Sequence, residues 1–264
     1  MKEIISTTEL LSRIQKNDER LIIIDVRSFD EYLKGHIPNS VNLELMQFHW
    51  IDTKRKGIKY FNRQTIDLFS FIGIKDNIYI IFYDNISGPY ASRGIWLSHY
   101  LSHDKAAILN GGFNQWKKEN KPIEMKTNSF KKRKYIPKIN PKILADYQYV
   151  KKSIKKKKTI IIDSRSNMEF NGEHTRAARN GHIKSAINIE WKKNIKENKF
   201  KEIDELREIY RNIPKNKEII TYCQGAYRAA NTYVILKMLG YKKVKMYLGS
   251  WNEWGNKKKS PIEK

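Results

Sequence analysis

The chain repeats itself, and the repeat restricts the fold more than any other feature. The segment LIIIDVRSFDEYLKGHIPNSVNLE, Leu21 to Glu44, returns as TIIIDSRSNMEF…NGHIKSAINIEW, Thr159 to Trp191. Asp25 and Arg27 answer to Asp163 and Arg165, and Glu31 and Glu169 follow four residues after each Arg. Gly35-His36-Ile37 and Gly181-His182-Ile183 come next, the second after eight extra residues. LNGGFNQW, ending at Trp116, is matched by LGSWNEW, ending at Trp254; the two Trp lie 138 positions apart, as do Asp25 and Asp163. Pro122-Ile123-Glu124 is echoed by Pro261-Ile262-Glu263. Two tandem domains of one fold follow, 1–125 and 142–264. The stretch between them, 126–141, is basic, holds two prolines and lacks an apolar period, as a linker does.

Within each half, short β-branched runs alternate with helical patterns. Leu21–Val26, Ile78–Tyr83, Ile160–Asp163 and Glu218–Tyr222 read as buried parallel strands. Thr7–Ile14 reads as a helix capped by Thr7 or Thr8. Ala230–Leu239 reads as an amphipathic helix stopped by Gly240. The expected class is α/β, each domain a mostly parallel sheet flanked by helices. In such sheets ligands bind beyond the carboxyl ends of the strands.

Composition narrows the function. One Cys in 264 residues excludes an intramolecular disulfide framework and a Cys-rich zinc site. No run reaches the roughly 20 apolar residues of a membrane helix. The N-terminal stretch has acids and no signal-like apolar core, so a cytoplasmic protein is expected. The net charge of +24 comes from lysines spread along the whole chain. With no finger, RNP-like motif or phosphate loop beside them, nucleic acid is not the expected partner. A positive field does concentrate small anions. No metal-ligand spacing appears and no cofactor is expected.

Past the strand Glu218–Tyr222 stands Cys223-Gln224-Gly225-Ala226-Tyr227-Arg228, ahead of a helix. A loop in that position turns backbone N–H groups and the positive helix end toward an anion, which favours a thiolate. Gly225 supplies backbone freedom, and Arg228 closes the loop with a permanent positive charge. A lone Cys after a strand can also be an inert small hydrophobe. At the matching place the first repeat has Asp84, in a loop running to Arg93.

From about Ile5 to Glu263 the chain resembles the tandem-domain rhodanese family of thiosulfate and 3-mercaptopyruvate sulfurtransferases. The motifs that carry the resemblance are Asp-x-Arg…Glu…Gly-His-Ile in each half, Tyr-Cys-x-x-x-x-Arg, and the closing Gly-(Gly/Ser)-(Phe/Trp)-Asn-x-Trp. The resemblance implies a catalytic second domain whose Cys223 accepts a sulfane sulfur as a persulfide and passes it on. It implies an inactive first domain, since the carboxylate of Asp84 cannot form a persulfide. A loop of six residues, Cys223 to Arg228, is one shorter than in phosphatases of this fold and suits sulfur better than phosphate.

The expected reaction is a double displacement between a small anionic donor and a thiophilic acceptor, cyanide or a thiol. Thiosulfate is the favoured donor. A 3-mercaptopyruvate sulfurtransferase and a sulfur-relay protein are the alternatives, and oligomeric state is left open. Arg228, Arg176 and Arg179 are the candidate donor-binding residues, the last two in the insert that only the second half carries. Gln224, Gly225, Ala226 and Tyr227 form the loop floor, with Ala226 where many relatives have Gly. Two Arg–Glu pairs, Arg27–Glu31 and Arg165–Glu169, are expected as ion pairs. His36 and His182 are expected in fold roles because both halves carry them, and Trp251 and Trp254 in packing.

Overall fold

The computed structural model describes residues 4–264. They form two compact units. Unit 1 holds the described residues up to Phe48, then Asn62–Ile139 and Ile195–Phe200. Unit 2 holds His49–Phe61, Asn140–Asn194 and Lys201–Lys264. Each unit therefore takes in a short stretch, 49–61 or 195–200, that lies in the other repeat's part of the sequence. Residues 126–139, read as linker, belong to unit 1.

Unit 1 runs β1 (Ile4–Ile5), α1 (Thr7–Gln15), β2 (Leu21–Asp25), α2 (Phe29–Leu33), β3 (Ser40–Asn42), α3 (Arg55–Phe71, its first part in unit 2), β4 (Tyr79–Tyr83), α4 (Pro89–Tyr100), β5 (Ala106–Leu109) and α5 (Gly112–Lys118). Its five strands are ordered β1-β5-β4-β2-β3, all parallel. Unit 2 runs β6 (Leu144–Ala145), α6 (Tyr147–Ser153), β7 (Thr159–Asp163), α7 (Asn167–Phe170), β8 (His182–Ile183) and β9 (Ala186–Asn188). A hairpin of β10 (Ile195–Lys196) and β11 (Lys199–Phe200) follows, within unit 1. Unit 2 resumes with α8 (Ile203–Ile209), β12 (Glu218–Tyr222), α9 (Tyr227–Met238), β13 (Val244–Tyr247), α10 (Ser250–Trp254) and β14 (Ile262–Glu263). Its sheet order, β6-β13-β12-β7-β9, is again parallel and repeats that of unit 1. No helix among the described residues is long and apolar enough to cross a membrane.

The repeated motifs build the same joints twice. Arg27 grips Asp25 and the Gly35 carbonyl; Arg165 grips Asp163 and the Gly181 carbonyl. The predicted Arg–Glu pairs are thus not formed. The nearer carboxylates, two residues upstream and wholly buried, take both guanidinium groups, while Glu31 and Glu169 close capping boxes with Ser28 and Ser166. His36 stacks on Tyr32 and His182 on Phe170, and the ring Nδ1 of each hydrogen bonds the carbonyl of the residue it stacks on. Each Gly-His-Ile pairs with a closing Pro-Ile-Glu, and each motif-ending Trp donates its indole N–H to that Pro. Burial of Trp116 and of Trp251 with Trp254 anchors the two cores, each such side chain contributing about 2–3 kcal/mol.

Two local expectations change. Ser6 caps α1 by accepting the Glu9 N–H, because Thr7 is buried and its hydroxyl donates to Glu119. Helix α9 starts at Tyr227, three residues early, and is buried on nearly every face rather than along one stripe. It packs against β12 and β13, so its polar residues sit inside: Asn231 and Thr232 are fully buried.

Candidate active site

Strand β12 lies centrally in its sheet, and Cys223 is the first residue past its end. The thiol is buried, with 1 % of the residue exposed. Four residues later, at Tyr227, α9 begins, and the amides of its first turn have no acceptor within the helix. The N-terminus of α9 therefore borders the loop that begins at Cys223. The loop backbone is tied to α10: the Trp251 N–H donates to the Cys223 carbonyl and the Asn252 N–H to the Gln224 carbonyl, both at 2.9 Å.

The loop turns at Ala226, not at Gly225. Ala226 has φ 68°, in the left-handed region, which a residue with a Cβ enters at a cost of about 1–2 kcal/mol. Gly225 is needed for space: a Cβ there would lie 2.3 Å from Cε1 of His49. His49 was not foreseen from the sequence, because it falls outside the repeated motifs. Its Nε2 lies 3.0 Å from Asn252 Nδ2, and its ring stacks on Tyr227 with centroids 6.0 Å apart. The Asn252 carbonyl oxygen in turn accepts from Gln224. Gln224, Asn252 and His49 thus form one chain of contacts along the loop. For Asn252 a signal existed, since both closing motifs place Asn there (Asn114 in the first).

Arg228 reaches Glu169 at two points, 2.5 and 2.9 Å. Burial raises the Glu169 carboxyl, but the hydrogen bond and charge of Arg228 outweigh it and hold the group at about 2. Burial likewise opposes the charge on Arg228, and the hydrogen bond and charge of Glu169 keep it more firmly protonated than usual. The loop therefore carries a fixed cation whose orientation is set by Glu169.

The insert lies beside the loop through Arg176, whose carbonyl accepts from Gln224 at 3.3 Å and whose residue is exposed. Arg179 is placed otherwise than expected. Its Nε–H and both Nη groups donate to the carbonyls of Gly255, Lys258, Ser260, Trp254 and Lys257. All five guanidinium hydrogens are thereby used in holding the turn after α10, and none is left for a donor anion. Among the described residues no three His, Cys, Asp or Glu side chains gather as a metal-binding group.

In unit 1 the corresponding strand–loop–helix joint holds a carboxylate. Asp84 follows β4 as Cys223 follows β12. Its carboxylate accepts the N–H groups of Gly88, Tyr90 and Ala91 at 3.0, 3.1 and 3.2 Å. Gly88 is required there, since a Cβ would lie 2.5 Å from the carboxylate. Burial raises Asp84 to about 6 despite these bonds. In unit 1 the joint is thus a cradle of backbone N–H groups that the chain fills with its own carboxylate.

Comparison with known proteins follows the same division. The Rhodanese-like domain family model matches residues 6–119 and 146–257. The thiosulfate sulfurtransferase of Azotobacter vinelandii is 30% identical over 98% of this chain and 96% of its own. The sulfur carrier protein TtuD of Thermus thermophilus is 31% identical over 96% of this chain and 90% of its own. Among solved structures, the 3-mercaptopyruvate sulfotransferase SseA from Escherichia coli superposes with a TM-score of 0.79 and 26% identity, covering 95% of this chain and 99% of that one. Two matched domains, relatives aligned end to end and a shared α/β architecture lead to one statement: the chain belongs to the rhodanese family, as a tandem-domain member of its sulfurtransferase class.

Proposed function

We propose that the protein moves a sulfane sulfur from thiosulfate to a thiophilic acceptor through a persulfide on Cys223. The Cys223 thiolate attacks the outer sulfur of thiosulfate, the S–S bond of the donor breaks, and sulfite leaves with its electron pair. A nucleophile such as cyanide or a thiolate then attacks the terminal sulfur of the persulfide. Thiocyanate or an alkyl persulfide departs and the Cys223 thiolate returns, so the two displacements balance without an added oxidant or reductant.

The observation that carries this reading is the Asp84 cradle. Three backbone N–H groups converge on an anion at the joint that corresponds to Cys223. In the second repeat, 142–264, the same joint holds the chain's one thiol, and a terminal sulfur bearing negative charge suits it. The first repeat, 1–125, then has a structural role. Arg228 supplies positive charge to the loop under Glu169's control, and Arg176 is the exposed cation of the insert that meets the donor. Gln224, Gly225, Ala226 and Tyr227 shape the floor. The chemistry needs no cofactor, and the reducing cytoplasm suits a free thiol.

A sulfur-relay role is the second reading, supported by the likeness to a sulfur carrier protein and by the charge of +24, which favours an acidic protein acceptor. Steady-state assays with thiosulfate and 3-mercaptopyruvate in parallel, with Cys223→Ser as the blank, test the donor. Turnover favouring thiosulfate fits the proposal, and turnover confined to 3-mercaptopyruvate replaces the donor. A persulfide that forms fast yet passes slowly to cyanide and small thiols supports the relay.

A further inference from the structure

We infer that Ser250 is a positioning residue for the Cys223 nucleophile, holding the cysteine backbone so that its thiol stays aimed into the loop. The inference rests on the persulfide reading of Cys223.

Ser250 is fully buried and has φ 49°, a conformation in which glycine is the inexpensive choice. Its counterpart in the first repeat is glycine: Gly112, with φ 57°. The second repeat thus keeps a strained serine where the fold itself would be served by glycine. The serine hydroxyl explains why. It accepts the Cys223 N–H at 3.3 Å and donates to the Tyr247 carbonyl at 2.9 Å. Cys223 lies beyond β12, whose last pairing with β13 is Thr221 to Met246, so the sheet ladder does not fix its amide. With the Trp251 N–H on the Cys223 carbonyl, both backbone polar groups of the nucleophile are held from one turn, residues 250 and 251. Fixing both fixes the direction of the Cα–Cβ bond.

Unit 1 keeps half of this clamp. The Phe113 N–H bonds the Asp84 carbonyl at 2.8 Å, but no side chain fits at Gly112, where a Cβ would lie 2.4 Å from that same carbonyl oxygen. The joint without a thiol does without the hydroxyl. A left-handed serine at the joint that carries the thiol, against a glycine at the joint that carries none, marks a functional constraint.

Ser250→Gly removes the hydroxyl while easing the backbone, and Ser250→Ala removes the hydroxyl with the backbone strain kept. Both are assayed with thiosulfate and cyanide, alongside Tm and the mass gain at Cys223. Positioning requires Ser250→Gly to melt at or above the parent temperature yet lose about tenfold in kcat, with KM for thiosulfate within about twofold, since misaimed groups slow chemistry more than binding. Ser250→Ala should lose a similar factor in kcat. A Ser250→Gly variant with parental kcat overturns the inference, and so does a kcat that falls only as Tm falls. Should the parent itself gain no sulfur at Cys223, the underlying persulfide reading fails instead, which the mass measurement on the parent reports separately.

Discussion

Arg228 and Glu169 meet through a two-point fork, Nη1 to Oε2 at 2.5 Å and Nη2 to Oε1 at 2.9 Å, across 59 residues of sequence. Glu169 also closes the capping box of α7, so one carboxylate fixes both the entry to the insert and the cation of the loop. Glu169→Gln should cost about 1–3 kcal/mol near neutral pH, because a two-point ion pair becomes a single bond from the guanidinium to a neutral amide oxygen. The pH sense follows from the lowered carboxyl. Its stabilisation is complete above the ordinary value of 4.5 and is lost as pH falls toward about 2. Urea denaturation of parent and variant should converge across that acid window; a gap that stays constant would show that the pair contributes nothing through ionisation.

Asp84 has the opposite sign. Burial lifts its carboxyl from 3.8 to about 6, with the bonds from Ala91, Gly88, Tyr90 and Ile86 only partly offsetting it. The folded state therefore holds this proton more tightly than the unfolded chain, and stability is given up as pH rises from about 4 to about 6. Asp84→Asn lacks that dependence. Relative to the variant, the parent should lose stability through that interval, on the order of a few kcal/mol, and then run level. Tm against pH for the two proteins measures it, and a parent that gains on the variant over this range would contradict the burial argument.

The loop residues separate strain from space. Ala226→Gly should raise stability by about 1 kcal/mol by relieving the left-handed conformation. Gly225→Ala should instead displace His49 or the loop and slow sulfur transfer, since a Cβ meets the ring at 2.3 Å. Thermal melts and turnover on both variants check this. Full activity in Gly225→Ala would show that the His49 contact does not shape the loop.

The insert's two arginines should part company. Arg179→Ala is expected to destabilise by about 2–4 kcal/mol, as five carbonyls lose their donors, with KM for thiosulfate little changed. Arg176→Ala should leave Tm alone and raise that KM by about fivefold. Donor titrations with matched melts distinguish them; a raised KM in Arg179→Ala alone would exchange the two roles.

What the sequence disclosed depended on whether a feature appears twice. The Asp-x-Arg, Gly-His-Ile and closing Trp motifs are repeated, and the strands beside them, the parallel sheet class and the His roles could be read, though not the strand order. Partner choice could not. Arg165 faces two acids at helical and strand-end spacings, and only burial decides for Asp163 over Glu169. Arg179 looks like any insert arginine until the turn after α10 presents its carbonyls. His49 has no counterpart in the second repeat, and its place against Gly225 depends on tertiary packing. The left-handed Ala226 was visible only as a missing glycine.

The central claim concerns one bond to sulfur at Cys223. Incubating the intact protein with thiosulfate, removing the donor and measuring mass before and after a thiol wash tests it most directly. The account predicts a gain of one sulfur, about 32 Da, located at Cys223, released by the thiol and absent in Cys223→Ser. An unchanged mass in the parent, or the same gain in Cys223→Ser, would contradict it.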